Sequence, residues 1–517
     1  MATHAEVMAN ELAKRGVQYV FGLPGGEIVA FIDACRRAGL RFLLTGHEAS
    51  AAWMAQVAGQ MTGIPGVCAA TLGPGATNLM TAVANAFLDR APMLAVTAQL
   101  PASAIDTMTH QRLPLHDLFA PITKASYCVE SNAAALVGAA LDLAVKPRPG
   151  PVHLALASDL AIAPEHRHDR SFTEITGRPS RLEPLSERLR SAQRPLVLIG
   201  LGALPSDAPA IRSLVDKLQA PFLVTPKAKG IVSEDHPLFL GVASGMAIDR
   251  DILETIRAAD LILAIGFDPV ECDKTWFADV EIVSIDSTSM AEGRYRPLEA
   301  IGDIASLAAA LELEPKPWPP ELVEERRKAT RRAPGPGVSP LRLIQELRSV
   351  FPRDGIATCD VGSHKLAMGQ FWQAYEPGTF LMSNGLSGMG FGIPAAIAAQ
   401  LVRPEKRVIA VVGDGGMLMM LHDLALIREL ALPIVIVVFT DRSLSLIRVS
   451  EERRGIAPYG VDFTPPDFAR IAESFGIAGR SVRSIEEARD AVAAALESRT
   501  AVLVDVPIDY REYYDLV

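Results

Sequence analysis

The sequence predicts an α/β protein of three domains, each with a parallel sheet flanked by helices. Short apolar, β-branched runs alternate with longer Ala- and Leu-rich stretches, which is the pattern of strands covered by helices on both faces. At 517 residues the chain is too long for one ordinary core. Two stretches interrupt the alternation, 163–184 and 314–340, and their Pro, Ser and charged residues predict interdomain linkers.

These linkers divide the chain into domains at 1–165, 185–315 and 340–517. The first and last domains end in similar apolar segments, which suggests that one fold is present twice. The clearest predicted strands are Gly66–Thr71, Pro195–Gly200, Leu261–Gly266, Arg407–Val412 and Pro433–Phe439.

Composition and charge exclude several classes of protein. Hydrophobic residues make up 49% and charged residues 21% of the chain, as in an ordinary globular protein. The net charge is −10 and no Lys/Arg block stands out, so we expect no nucleic-acid partner. No apolar run is long enough for a membrane span, and the first residues lack the pattern of a secretory signal. The five cysteines are scattered, so we expect reduced thiols and a cytoplasmic location.

The segment 411–417 predicts a site for phosphate and a metal ion. An apolar strand leads into Gly413, Asp414, Gly415 and Gly416, and a helix is predicted over 417–430. Glycines at a strand-to-helix turn let backbone N–H groups approach phosphate oxygens, and a carboxylate there can hold Mg²⁺. A tight turn that requires glycine explains these four residues equally well.

A second oxygen ligand is predicted at the end of the next strand. Asp441 follows the strand 433–439 directly. Because the carboxyl ends of neighbouring parallel strands lie at the same edge of a sheet, Asp414 and Asp441 are expected to be close together.

Glu48 is the candidate catalytic acid. It heads an otherwise small and apolar segment, so its carboxyl group is expected to be partly desolvated. The segment 21–26, Phe-Gly-Leu-Pro-Gly-Gly, precedes it, and 71–78, Thr-Leu-Gly-Pro-Gly-Ala-Thr-Asn, follows it. Taken alone, the same glutamate could simply interact with the dipole of the helix that it begins.

Together these segments resemble the thiamine diphosphate-dependent enzymes, and the resemblance covers nearly the whole chain. It implies a thiamine diphosphate-binding fold in the first and third domains and a Rossmann-like middle domain. Mg²⁺ would be held by Asp414, Asp441 and the backbone carbonyl of Ser443, although the family usually has Asn at position 441. Glu48 would contact the cofactor's pyrimidine ring. The implied cofactor contacts are Gly25, Pro74, Asn78, Val361, Ser363, His364, Ser387, Met389, Gly413, Asp414, Gly415, Gly416, Asp441, Ser443 and Leu444.

Within that family the chain is most similar to the acetolactate synthases. Met389 stands where these enzymes place an apolar wedge under thiamine, although an ordinary core methionine is the common alternative. His110 and Gln111 match the His-Gln segment of the catabolic type, where Gln111 would bind the keto acid and His110 would move protons. Polar loop residues without a role would look the same. His364, taken alone, would usually be a surface or cap residue.

The segment 265–271 resembles the catabolic synthases more than the flavin-containing ones, so we expect no FAD. The resemblance implies a lyase or transferase that decarboxylates a 2-keto acid such as pyruvate and joins the product to a second molecule. Ile447 stands where pyruvate decarboxylases carry a proton-donating Glu, which favours carboligation. Family geometry places Glu48 of one subunit beside the diphosphate site of another, which implies a homodimer or homotetramer.

Other functions remain open from the sequence. A 2-keto acid decarboxylase or a carboligase with a different acceptor would share the same motifs. A catalytically silent, binding-only paralogue is a further alternative. A nicotinamide dehydrogenase is disfavoured, because the glycine pattern at 198–203 departs from the dinucleotide fingerprint.

Overall fold

The computed structural model describes residues 1–165, 182–244, 249–271, 280–293 and 295–516. Three six-stranded sheets lie in these residues, and all their strand pairs are parallel. The strands recognised from the sequence are present within a residue or two of the expected positions. The predicted α/β class is therefore confirmed.

The first sheet belongs to the amino-terminal part of the chain. Its strands are β1 Tyr19–Leu23, β2 Arg41–Leu44, β3 Gly66–Ala70, β4 Met93–Gln99, β5 Ala125–Val129 and β6 Pro151–Ala157. The accompanying helices are α1 His4–Lys14, α2 Val29–Arg37, α3 Glu48–Thr62, α4 Pro74–Leu88, α5 Leu115–Phe119, α6 Ala133–Val145 and α7 Ser158–Ile162. Strands β3, β4 and β6 are buried along their whole length, as expected for strands covered on both faces.

The second sheet is Rossmann-like. Its strands are β7 Pro195–Ile199, β8 Phe222–Val224, β9 Phe239–Val242, β10 Leu261–Ile265, β11 Ile282–Asp286 and β12 Leu298–Ile301. The helices of this part are α8 Glu183–Ser191, α9 Ala208–Leu218, α10 Arg250–Ala258, α11 Ile304–Ala310 and α12 Pro320–Ala329. The strand order β12-β11-β10-β7-β8-β9 is that of the doubly wound dinucleotide-binding folds.

The third sheet carries the glycine turn of the predicted metal site. Its strands are β13 Ile356–Cys359, β14 Phe380–Met382, β15 Val408–Gly413, β16 Ile434–Thr440, β17 Ala478–Ser481 and β18 Val502–Pro507. The helices of this part are α13 Pro340–Val350, α14 Ser363–Phe371, α15 Gly392–Val402, α16 Asp414–Met419, α17 Asp423–Glu429, α18 Ser445–Arg453, α19 Phe468–Ser474, α20 Ile485–Ser498 and α21 Tyr513–Leu516.

The first and third sheets have the same strand order. It is β2-β1-β3-β4-β6-β5 in the first and β14-β13-β15-β16-β18-β17 in the third. Numbered from its own first strand, each sheet therefore follows the order 2-1-3-4-6-5. This identity supports the prediction that one fold occurs twice in the chain.

The chain forms two compact units. The first contains Met1–Thr176, Gly385–Glu405 and Met420–Leu432, and the second contains the remaining residues, Gly177–Asn384, Lys406–Met419 and Pro433–Val517. Helices α15 and α17 therefore belong to the first unit, although they lie between strands of the third sheet in the sequence. The domain boundaries predicted from the sequence remain a prediction.

Two segments differ from the sequence-based expectation. The helix predicted over 417–430 is two helices, α16 and α17, separated at residues 420–422. Most of the predicted linker 163–184 lies outside the described residues. In the predicted linker 314–340, the charged run forms α12, which begins with Pro320 and has basic residues in its last turn. That charge distribution complements the helix dipole and explains why this run is helical.

Glu512 fixes the start of α13. Its carboxylate accepts hydrogen bonds from the N–H groups of Gly335 (2.6 Å) and Leu341 (3.1 Å) and from the Ser339 hydroxyl (2.7 Å). The carboxylate thus satisfies a backbone donor of the first helical turn, which has no partner within the helix.

Replacing Glu512 with Ala should lower the free energy of unfolding by about 2 kcal/mol, because several charge-assisted hydrogen bonds are lost together. Chemical denaturation followed by circular dichroism measures this change. Glu497→Ala is the control, since Glu497 is an exposed residue of α20. Equal stability of the two variants would contradict the assigned role of Glu512.

Candidate functional site

In the first unit, the predicted site residues follow the carboxyl ends of neighbouring strands. Gly25 follows β1, Glu48 follows β2, Pro74 and Asn78 follow β3, and Gln111 comes after β4. Loops at this edge of a parallel sheet are the usual location of ligand sites. The fold therefore gathers residues that are far apart in sequence.

Glu48 is the first residue of α3, and only 6% of its surface is exposed. His47 caps the helix, because its Nδ1 accepts a hydrogen bond from the N–H of Ala49 (3.0 Å). Asn78 Nδ2 donates to Glu48 Oε2 (2.9 Å). One oxygen of a buried carboxyl group is thus oriented by a residue of α4, in the same unit.

The loop after β3 contacts Gln111, one of the two other predicted catalytic residues. Gly73 has a positive φ of 60°, and Pro74 then begins α4. A Cβ at Gly73 would lie 3.0 Å from Cβ of Gln111, so this loop contacts Gln111. Gln111 is exposed and has a φ of 57°. His110 is also exposed and makes no side-chain hydrogen bond within the described residues.

The loop that carries Ser387 and Met389 is also part of the first unit. The N–H of Gly385 donates to Asp89 Oδ1 (2.7 Å), which ties the start of the loop to the end of α4. Ser387 has a φ of 57°, and Met389 is half-buried. The loop is thereby held at one end in a defined conformation.

In the second unit, Asp414 and Asp441 lie at the ends of adjacent strands. Asp414 begins α16 directly after β15, and Asp441 follows β16. The register pairs Gly413 with Phe439, two residues before Asp441. The expected proximity of the two carboxyl groups therefore results from parallel strand pairing.

Backbone N–H groups orient both carboxylates. Asp414 accepts from Gly415 N (2.8 Å) and from Arg442 N (2.7 Å). Arg442 has a φ of 64°, an uncommon conformation for a residue with a side chain. Asp441 accepts from Ser443 N (3.1 Å) and from the Ser445 hydroxyl (2.6 Å).

The two carboxyl groups have an unfavourable environment in the absence of a cation. Burial, and then the charge of Asp441, raise the pKa of Asp414 to about 7. Burial also raises the pKa of Asp441. No cluster of three or more His, Cys, Asp or Glu side chains suited to a metal occurs among the described residues. Two carboxylates with a backbone carbonyl, such as that of Ser443, are nevertheless a donor set that fits Mg²⁺.

Two polar side chains at the start of α14 lack a hydrogen-bond partner in the part of the chain that the structure describes. Ser363 begins α14, and both Ser363 Oγ and His364 Nε2 are buried without a hydrogen bond within the described residues. Burial lowers the pKa of His364 to about 4, so the ring is neutral at physiological pH. Buried polar atoms normally have partners. An anion with oxygen acceptors, such as a diphosphate, would satisfy the Ser363 hydroxyl and the His364 ring.

Gly416 must be glycine because Asp360 lies against its backbone. A Cβ at position 416 would come within 2.0 Å of Asp360 Oδ2. Val361, the next residue after Asp360, is half-buried. Leu444, another predicted contact of the cofactor, is 37% exposed, and its N–H donates to the carbonyl of Val461 (2.8 Å).

Sequence reasoning did not single out Asp360 and Lys365 as charged residues of this site. Both are almost completely buried, with 1% and 3% of their surfaces exposed. Their signal was available, since two charged residues flank a short segment that follows an apolar strand. Charged residues in such a position are seldom buried without a functional reason.

The crevice of the Rossmann-like sheet is filled by the chain itself. The strand order reverses between β7 and β10, where dinucleotides bind in this fold. Here the Glu271 carboxylate accepts from Leu201 N (2.8 Å), Lys227 N (3.2 Å) and the Thr225 hydroxyl (2.6 Å).

The loops beside Glu271 leave little space. A Cβ at Gly200 would lie 2.5 Å from Cα of Phe267, and the N–H of Gly202 donates to the carbonyl of Gly266 (2.7 Å). Burial raises the pKa of Glu271 to about 7. Within the described residues, the N–H groups of Leu201, Gly202 and Lys227 at this crevice already donate to Glu271 or to the carbonyl of Gly266.

Comparison with known families agrees with the three sheets. Residues 2–119 match the N-terminal TPP binding domain of thiamine pyrophosphate enzymes, 182–311 the central domain, and 360–506 the C-terminal TPP binding domain. Thiamine pyrophosphate and thiamine diphosphate are the same compound. The chain therefore belongs to the thiamine pyrophosphate enzyme family, and it is an enzyme of the lyase or transferase type.

Its relatives are named as acetolactate synthases. The acetolactate synthase of Bacillus subtilis strain 168 is 32% identical over 99% of this chain and 94% of that protein. The acetolactate synthase isozyme 2 large subunit of Escherichia coli K12 is 32% identical over 98% and 96%. The catabolic acetolactate synthase of Raoultella terrigena is 28% identical over 98% and 95%.

Among the described residues, no helix has the length and apolarity that crossing a membrane requires.

Asp441→Asn should stabilise the protein in the absence of Mg²⁺ and cofactor. Asn can still accept from Ser443 N through its Oδ1 and can donate from its Nδ2 to the Ser445 hydroxyl, and it removes a negative charge beside Asp414. The raised pKa of Asp414 means that its favourable contribution to folding is lost as the pH rises through about 7. The melting temperature should therefore increase by about 2–4 °C at pH 8 and by less at pH 6.

Differential scanning calorimetry at both pH values measures this effect. Asp441→Ala is the matched control, since it removes the same charge together with both hydrogen bonds and the oxygen ligand. Mg²⁺ should still raise the melting temperature of Asp441→Asn, but it should not raise that of Asp441→Ala. A lower melting temperature of Asp441→Asn than of the unmodified protein at pH 8 would contradict the electrostatic assignment.

Proposed function

We propose that this chain catalyses the thiamine diphosphate- and Mg²⁺-dependent decarboxylation of pyruvate and the carboligation of the product to a second 2-keto acid. The observation that carries the proposal is the pair Asp414 and Asp441 beside the unpartnered polar atoms of Ser363 and His364. Family membership and the names of the relatives support the same reaction.

Asp414, Asp441 and the carbonyl of Ser443 would hold Mg²⁺ in this proposal. The Ser363 hydroxyl, the His364 ring and the backbone N–H groups at Gly415 and Gly416 would contact the diphosphate. The buried carboxyl groups then gain a cation that compensates their charge, and the unpartnered polar atoms gain acceptors.

Glu48 would act on the cofactor's aminopyrimidine. Asn78 holds Glu48 Oε2. Oε1 is therefore the oxygen that we assign to a pyrimidine ring nitrogen, where it would hold a proton. When bound, the cofactor supplies a nucleophilic thiazolium carbon and an electron sink for the departure of CO₂. We assign Gln111 to the keto acid and His110 to proton transfer. The backbone carbonyl of Ser387 and the side chain of Met389 would contact the cofactor.

The start of α18 favours carboligation over simple aldehyde release. Leu444 is 37% exposed and Ile447 is 50% exposed, so apolar side chains line this surface. Neither can donate a proton to a bound intermediate. The second candidate function is a 2-keto acid decarboxylase, which would require a proton donor elsewhere.

Product analysis tests the proposal. The protein is incubated with pyruvate, thiamine diphosphate and Mg²⁺, and products are identified by chromatography and mass spectrometry. We expect a 2-hydroxy-2-methyl-3-oxo acid, loss of activity when either cofactor is omitted, and at least a hundredfold loss in Glu48→Gln, which is the scale of losing acid–base catalysis. Acetaldehyde as the sole product would favour the decarboxylase, and no turnover of any 2-keto acid would overturn the proposal.

We further propose a homodimer, or a tetramer made from it, in which Glu48 of one copy serves the diphosphate site of another. This arrangement rests on the family resemblance. Closed symmetric assemblies of this kind are the common form of soluble oligomers.

Mixing two inactive variants tests the shared site. Glu48→Gln and Asp414→Ala are unfolded together and refolded, so that mixed dimers form. In a mixed dimer one site is intact if residues 48 and 414 come from different copies, so about a quarter of the activity should return. Each variant refolded alone is the control. No recovery in mixed dimers confirmed by mass spectrometry would place both residues in one copy.

We also propose that the enzyme works without FAD, which the filled crevice at Glu271 supports. The purified protein should lack flavin absorbance, and equilibrium dialysis against FAD should show no binding. Stoichiometric flavin would contradict this prediction.

A cytoplasmic location is proposed because the described cysteines, Cys35, Cys68, Cys128 and Cys359, are all unpaired.

A further inference from the structure

Asp423 is a fully buried carboxyl group with an incomplete set of partners. It is the first residue of α17, and none of its surface is exposed. Burial raises its pKa to about 7. Oδ1 has no hydrogen bond within the described residues, and Oδ2 accepts one from the Ser50 hydroxyl (2.8 Å). Burying such a group is costly, so its presence requires an explanation.

The partner of Asp423 lies in the first turn of the helix that carries Glu48. Ser50 is two residues after Glu48 in α3, and it is completely buried. His422 Nε2 lies 3.1 Å from Ser50 Oγ and 3.5 Å from Asp423 Oδ1. Met420 Sδ is 3.5 Å from the same hydroxyl. The segment 420–423 thus closes around one serine side chain.

This group does not have the geometry of a hydrolytic triad. In a triad the acid orients the histidine through the ring nitrogen opposite to the serine. Here the acid bonds directly to the serine, and His422 approaches both residues with the same nitrogen, Nε2. Ser50 is therefore not activated as a nucleophile, and its hydrogen bonds serve to hold the helix.

The first turn of α3 needs such support. The backbone cap described above is the ring of His47, which bonds only to Ala49 N in that turn. Asn78 fixes one oxygen of the Glu48 carboxyl group, but the position of the Glu48 Cα depends on α3. Because Ser50 belongs to the same turn, anchoring its side chain restrains the backbone that carries Glu48.

We propose that Asp423, acting through the Ser50 hydroxyl, is a positioning residue for Glu48. This inference rests on the proposed function, because it assigns to Glu48 the role described there. The hydrogen bond from Ser50 fixes the start of α3, and Asn78 then sets the direction of the carboxyl group.

The test compares Ser50→Ala with Ser126→Ala, in the holoenzyme with saturating cofactors. Ser126 is the matched control, because it is also a buried serine of the first unit bonded to a histidine, His153 Nδ1 (2.8 Å), and it lies in β5. We expect Ser50→Ala to lower kcat about tenfold or more, with KM and the cofactor Kd changed less than about twofold. Ser126→Ala should leave kcat within about twofold while losing similar stability.

A second measurement is independent of activity. Hydrogen–deuterium exchange without cofactor should become faster at residues 48–52 in Ser50→Ala and should remain unchanged there in Ser126→Ala. Asp423→Asn keeps an acceptor for Ser50 and should retain most of kcat, whereas Asp423→Ala should match Ser50→Ala.

Equal kcat values in Ser50→Ala and Ser126→Ala, each measured per folded protein, would overturn the inference. Equal losses of kcat in Asp423→Asn and Asp423→Ala would also overturn it, since the acceptor oxygen that Asn retains would then have no effect. Failure of the proposed function would appear differently, as an unmodified protein that turns over no 2-keto acid. The exchange measurement still tests the anchoring of α3 in that case.

Discussion

The close approach of two carboxyl groups at the ends of adjacent buried strands is the constraint on which the second unit depends. Parallel pairing of β15 with β16 brings Asp414 and Asp441 together, and burial makes their charges costly. Several local features exist to hold this arrangement. Arg442 adopts an uncommon backbone conformation that directs its N–H to Asp414, and Gly416 leaves room for Asp360. Burial of these carboxyl groups costs stability, and in the proposed function Mg²⁺ would compensate their charge.

The repeated strand order presents two different sets of side chains on one architecture. In both the first and the third sheet, the predicted site residues follow the carboxyl ends of the strands. The third sheet has acidic side chains and a glycine turn at that edge. The first has a buried glutamate, a carboxamide and a glycine–proline turn at the corresponding edge. Sheet pairing fixes where the residues lie, and the loop sequences decide what they do.

Much of this could be predicted from the sequence, because local patterns carry it. The strands are continuous apolar runs, and Asp414 and Asp441 directly follow two of them. The anchor of Ser50 by Asp423 could not be predicted, since the two residues are 373 positions apart and nothing local relates them. The break between α16 and α17 escaped prediction for the same reason, as tertiary contacts override a continuous helical pattern. Helix α12 was not predicted, because the prolines on both sides of its charged run are typical of a linker.

The division of the chain into units has a consequence for biosynthesis. The first unit takes α15 and α17 from sequence that lies beyond the whole Rossmann-like sheet, and its last segment ends at Leu432. A ribosome making this protein must therefore release most of the chain before that unit is whole. Until then, the apolar surfaces that α15 and α17 later cover remain exposed to solvent. Nascent chains in this state can aggregate or bind chaperones.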